Sequence, residues 1–145
     1  MESGVASHSG RTPGLRRVTL HLPTGILATF ILLTSSIPSP PTVPVKNLDK
    51  LWHFLVYFLF SFFIWRSFSE ENNPSFKRFP HLWVLLSGAG FSLLDEFHQE
   101  FIPGRSMDFF DWLADLGGIV GMQLLIGGVS VWRKIEKKSG KKLKN

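Results

Sequence analysis

Residues 95–115 read DEFHQEFIPGRSMDFFDWLAD and set Asp95, Glu96, Gln99, Glu100, Asp108, Asp111 and Asp115 between two strongly apolar blocks. That density of acidic and amide groups is too high for an ordinary apolar core. Phe, Trp and Leu are also interleaved with it too closely for a solvated linker. Helical spacing orders the stretch: Asp95 and Gln99 stand four apart, as do Asp111 and Asp115, and residues so spaced share a helix face. Pro103-Gly104 supplies a break between them, followed by Arg105. The expectation is two helices joined at a Pro-Gly turn, each aiming polar groups at the other.

Working outward, the chain is long enough for one domain of ordinary size, and its 44% hydrophobic content is gathered into long blocks with charges between them and at the ends. That segregation points to a membrane protein. The absence of cysteine removes any disulfide framework and any Cys-based metal site. A net charge of +5 raises nucleic acid as a partner, but the basic residues flank apolar blocks and accompany no nucleic-acid-binding motif, so nucleic acid is excluded.

Residues 1–17 lack apolar periodicity and read as a disordered tail. Residues 18–37 form an uncharged block close to the roughly 20 residues that cross a bilayer, with Pro23 near its start. A secretory signal is the rival reading, but no small-x-small cleavage pattern precedes SSIPSPP. A Pro-rich loop leads into a second span at residues 51–68. There Asp49, His53 and Tyr57 recur every four residues and make one polar stripe on an aromatic helix. Residues 82–94 give too short an uncharged run for a crossing, so a third span over residues 81–102 must carry Asp95 at membrane depth. The fourth span runs from Ser106, the expected N-cap, to Trp132. Gly117 and Gly121 at GxxxG spacing suit close helix packing, and residues 133–145 read as a basic solvated tail.

The fold expected is an all-α integral membrane four-helix transmembrane bundle over residues 18–132, with a tail at either end. Thirteen of the sixteen Lys and Arg lie in the termini and the loop near residues 66–80. By the positive-inside rule both termini are then cytoplasmic, in a cytoplasmic (inner) membrane, and the acidic cluster faces outward.

In their order and spacing, four motifs together resemble the VanZ-like family of small bacterial membrane proteins, over about residues 30–122. They are SSIP after the first span, Asp49-Lys50-x-x-His53-Phe54-x-x-Tyr57, Asp95-Glu96-x-x-Gln99-x-Phe101-x-Pro103-Gly104-Arg105, and Asp111-x-x-x-Asp115. The family is named for a protein associated with resistance to teicoplanin, a lipoglycopeptide acting on cell-wall precursors, and many members have no assigned activity. The resemblance implies a role at the cell envelope, with glycopeptide resistance a candidate for it. Relatives often have Asn where this chain has Asp115, which adds a charge and puts in question any role there that needs an amide donor.

The site expected from these residues comprises Asp49, His53, Tyr57, Asp95, Glu96, Gln99, Arg105, Asp111 and Asp115. Its partners are the lipid bilayer and an envelope ligand, either a lipid-linked wall precursor or a lipoglycopeptide, with Arg105 meeting a carboxylate or phosphate in bidentate fashion. No cofactor, metal or catalytic residue is assigned. Two alternatives stand beside this binding function. An intramembrane metal-dependent hydrolase or transferase would use ligands drawn from His53, Asp95, Glu96, His98, Asp111 and Asp115, though no compact metal motif is present. In a purely structural cluster, Arg105 would pair with Asp108 or Asp111, and His53 with Asp95.

Overall fold

The structure is a computed structural model that describes residues 13–38 and 48–142, with side chains at 14–38 and 48–137. The described residues are all-helical. In chain order they form α1 (Pro13–Ser35), α2 (Leu48–Glu70), a short α3 (Pro74–Arg78), α4 (Pro80–Gln99) and α5 (Phe109–Lys142). The Pro-rich stretch 39–47 and the chain ends, 1–12 and 143–145, lie outside the described residues.

Helix ends follow local chemistry. Asn73 caps α3, its Oδ1 accepting from Ser75 N at 2.9 Å with Pro74 at the first helical position. α4 ends in tight turns, with Phe101 N donating to His98 O and Ile102 N to Gln99 O, before Pro103 and then Gly104 at φ 78°. That left-handed conformation suits glycine and explains why Pro-Gly makes the turn. The start of α5 corrects the expected cap. Asp108, not Ser106, caps it: Asp108 Oδ1 accepts from Phe110 N at 2.7 Å, and the helix opens at Phe109. α1 opens at Pro13, five residues before the expected start, so Pro23 sits inside the helix and leaves the Thr19 carbonyl without its usual donor. At the other terminus α5 runs on to Lys142, so the basic stretch from residue 133 continues that helix, exposed over 133–137.

Three helices are long and apolar enough to cross a membrane: Gly14–Ser35, Leu48–Glu70 and Phe109–Lys137. α4 falls outside that class because its last turns carry Asp95, Glu96 and His98. Burial runs opposite to that of a water-soluble protein. Leu124, Leu94 and Leu33 are outward and exposed, while Asp95, Glu96, Gln99 and Asp115 are buried. Outward leucines around inward carboxylates are what lipid as solvent demands.

α2 is the centre of the packing and meets α1, α4 and α5. The core joins Ile31, Tyr57, Phe60, Ile64, Val84 and Ile119 from these four helices. α2 and α5 approach so closely at Gly118 that a methyl group there would overlap the Phe54 carbonyl oxygen and lie 2.8 Å from Phe58 N. Gly117 and Gly121, singled out by their spacing, have looser surroundings; a methyl on either would make ordinary contact with Phe54 or Phe58. Phe68, Phe76 and Trp83 stack at the far end and hold α3 against α2 and α4.

Candidate functional site

The antiparallel run of the helices brings the end of α1, the start of α2, the end of α4 and the start of α5 together. Here residues 95–115 meet the His53–Tyr57 stripe. His53 Nδ1 lies 3.0 Å from Asp115 Oδ1 and 3.7 Å from Glu96 Oε1. Tyr57 Oη donates to Asp95 Oδ2 at 3.3 Å. Gln99 Nε2 donates to Glu96 Oε1 at 3.3 Å and, at 3.5 Å, reaches Asp95 Oδ2. Glu96 Oε2 accepts from Asp108 N at 3.0 Å, which ties α4 to the entry of α5. All of these side chains except Asp108 are buried, with Asp115 and Glu96 at 0% exposure and Asp95 at 1%.

Three buried carboxylates therefore share a few donors. Asp95 Oδ1 and Asp115 Oδ2 are buried with no protein hydrogen-bond partner. Buried carboxylate oxygens without donors are costly, and such orphans mark a site that a ligand, an ion or a proton completes.

Nearer the surface lies a second charged group. Lys50 Nζ donates to Asp111 Oδ1 at 2.7 Å and Asp108 Oδ2 at 3.0 Å, and lies 3.5 Å from Asp49 Oδ2. The Phe110 backbone N–H, and then Lys50, hold the Asp108 carboxyl below its ordinary range. Asp49 and Asp111 thus belong to this outer group and not to the buried one; the Asp49 side chain is 59% exposed. The stripe of Asp49, His53 and Tyr57 shares one helix face, but only its two inner members reach the buried carboxylates.

Arg105 stands apart from both groups. It donates to Thr34 O on α1 at 3.4 Å, and neither of the pairings a purely structural cluster would need, with Asp108 or Asp111, is present among the described residues. His53 pairs with Asp115 and Glu96 in place of Asp95. Arg105, His53, Tyr57 and Asp95 line a cavity of about 80 Å³ whose other walls include Trp52 and Val56. His98 lies outside it and bonds Ser36 Oγ at 3.0 Å.

Sequence reasoning missed a second intramembrane polar chain. Gln123 Nε2 donates to Ser61 Oγ at 2.7 Å, Ser61 Oγ to Ile119 O at 3.2 Å, and Gln123 Oε1 faces His81 Nδ1 at 2.7 Å. The lone Gln in the apolar run of α5 was the available signal, since a polar side chain at that depth needs a partner.

The family model described as VanZ/LLP1 matches residues 5–131. The chain is also similar to an uncharacterized protein of Schizosaccharomyces pombe, 33% identical over 115 residues, which covers 77% of this chain and 68% of the relative. No solved structure matches.

Proposed function

The chain belongs to the VanZ/LLP1 family, and on that premise we propose that it is a membrane protein of four crossing helices that binds the anionic head group of an envelope lipid. In this reading α4, with 20 residues, is the fourth crossing. Its length of about 30 Å matches the bilayer core, and its acidic residues are tolerated because they turn inward. Both termini are cytoplasmic and the polar cluster opens to the opposite side, since the basic flanks of α1, α2, α3 and α5 lie together at the far end.

The observation that carries the binding function is the cavity lined by Arg105 and the buried Asp95. Its lining includes the Arg105 guanidinium, which among the described residues forms no ion pair and is suited to two oxygens of a phosphate. Buried Tyr57 and His53 line it as well, together with the indole of Trp52, which is exposed where an acyl chain would run. A lipid-linked precursor and a lipoglycopeptide both offer an anionic group beside an apolar tail. Under the lipid reading an effect on glycopeptide resistance would come through the precursor and not through capture of the antibiotic.

The test is thermal stability of the detergent-purified chain with polyprenyl phosphate, the matching uncharged polyprenol, and teicoplanin. A rise in Tm with the phosphate alone is expected. A rise with teicoplanin alone would transfer the site to the antibiotic, and no rise with any of the three would overturn binding.

A further inference from the structure

We infer that His53, Glu96 and Asp115 form a buried binding site for one divalent transition cation, Zn²⁺ or Mn²⁺, which shares His53 with the lining of the cavity. The inference rests on donor geometry and charge, and it stands whether or not a lipid binds above.

Each residue offers one ligand atom, and the three atoms lie within 4.8 Å of one another on buried side chains. His53 Nδ1 is 3.0 Å from Asp115 Oδ1 and 3.7 Å from Glu96 Oε1. Donors about 2.1 Å from one cation stand about 3.0 to 3.4 Å apart at octahedral or tetrahedral angles, so the two His53 distances lie at or near coordination spacing. The orphaned Asp115 Oδ2 adds a second, independent reason, for it belongs to a fully buried ligand residue and has no protein donor.

Charge points the same way. Asp95, Glu96 and Asp115 are buried together, yet among the described residues no Lys or Arg forms an ion pair with any of them: Lys50 is taken by Asp49, Asp108 and Asp111. Isolated buried carboxylates must be neutralised. A cation does so with one atom and satisfies the orphan oxygen. The shell around the ligands is also built: Glu96 is fixed by Gln99 and by Asp108 N, as orienting partners of metal ligands are. One imidazole nitrogen with carboxylate oxygens selects Zn²⁺ or Mn²⁺ over Ca²⁺ and Mg²⁺, which take oxygen donors.

The experiment uses the full chain in detergent, without added lipid, so that its outcome is independent of lipid binding. Metal content is measured by mass spectrometry after equilibrium dialysis against Zn²⁺ or Mn²⁺, for the wild type, Asp115→Asn, and the exposed control Asp49→Asn. One equivalent per chain is expected in the wild type and in Asp49→Asn, with affinity falling about tenfold or more in Asp115→Asn. Should Asp115→Asn fail to fold, the wild type alone decides through Co²⁺, whose visible absorption reports bound nitrogen and oxygen donors. Substoichiometric metal with no Co²⁺ spectrum would overturn the site, as would full binding by a folded Asp115→Asn. An infrared signature of protonated carboxyls that persists at saturating Zn²⁺ or Mn²⁺ would overturn it too, because metal binding must displace those protons.

Discussion

His53 on α2 and Asp115 on α5 meet at 3.0 Å within the most tightly packed pair of helices, one turn from the point where Gly118 brings the two backbones together. The site and the packing are thus one construction: the missing side chain at Gly118 sets the approach of the helices, and the approach sets the distance between the two polar groups.

Gly118→Ala is expected to destabilise the protein by about 1–3 kcal/mol, the usual cost of forcing a methyl into a filled interface. The neighbouring atoms belong to the backbone of Phe54 and Phe58, which cannot swing aside. Gly127→Ala serves as the control, since a methyl there meets nothing within 4 Å. Thermal melts of both variants in the same detergent check this; equal melting temperatures would mean that the helices separate at little cost.

Gln123→Leu should cost about 1 kcal/mol, in the range measured for hydrogen bonds between membrane helices. Three contacts are lost, to Ser61 Oγ, to Ser61 O and to His81 Nδ1, although Ser61 keeps its bond to Ile119 O. Adding Ser61→Ala to Gln123→Leu should cost less than the sum of the single changes, because both remove the same contact. Strict additivity in melts of the four proteins would show that the chain of polar groups is not a unit.

Much of this architecture is legible in the sequence because lipid imposes a simple rule on helices. Long uncharged blocks mark α1, α2 and α5, and the four-residue spacing of His53 and Tyr57, of Asp95 and Gln99, and of Asp111 and Asp115 marks inward faces. Spacing places residues on a face but not at a depth or across from a partner. For that reason Asp49 and Asp111, which share faces with buried groups, turn out to pair with Lys50 near the surface. The pairing of His53 with Asp115, and the choice of Gly118 over Gly117 and Gly121 as the close approach, depend on how α2 and α5 rotate about their axes. No local pattern reports that rotation.

The pH dependence of stability should carry a contribution from Asp108. Its carboxyl is held below the ordinary value of 3.8, first by the Phe110 N–H and then by Lys50. A depressed folded-state value means that the stabilisation is fully present above the unfolded value and is lost as pH falls through the folded one. The loss should therefore develop below about pH 5, and Asp108→Asn should flatten the melting temperature across that range. An unaltered acid limb in the variant would show that the cap and the Lys50 contact contribute nothing to folding.

Sidedness is open to a direct measurement because the chain has no cysteine. Met107→Cys lies in the exposed turn at the cluster end, and Asn72→Cys in the exposed loop at the other. With both termini cytoplasmic, a membrane-impermeant maleimide added to intact cells should label Met107→Cys and reach Asn72→Cys only after permeabilisation. The reverse pattern would place the cavity on the cytoplasmic side, and labelling of both sites in intact cells would remove α4 as an even crossing.

Arg105→Lys should separate recognition from folding. Among the described residues the guanidinium donates only to Thr34 O, at a long 3.4 Å, so exchanging it for an ammonium removes little from the fold. What it removes is the planar fork that can hold two oxygens of one phosphate, which a lysine meets only as a point charge. The melting temperature without ligand should stay within about 1 °C of the wild type, as for a surface substitution worth a few tenths of a kcal/mol. Affinity for polyprenyl phosphate should fall about tenfold, equivalent to one charged hydrogen bond of about 1.5 kcal/mol. Arg105→Gln, which lacks the charge as well, should bind more weakly still. A titration in which lysine matches arginine while glutamine fails would reduce Arg105 to a source of charge. A large fall in the ligand-free melting temperature of Arg105→Lys would assign the residue to holding the 100–108 turn against α1, and the cavity would lose its anion-binding group.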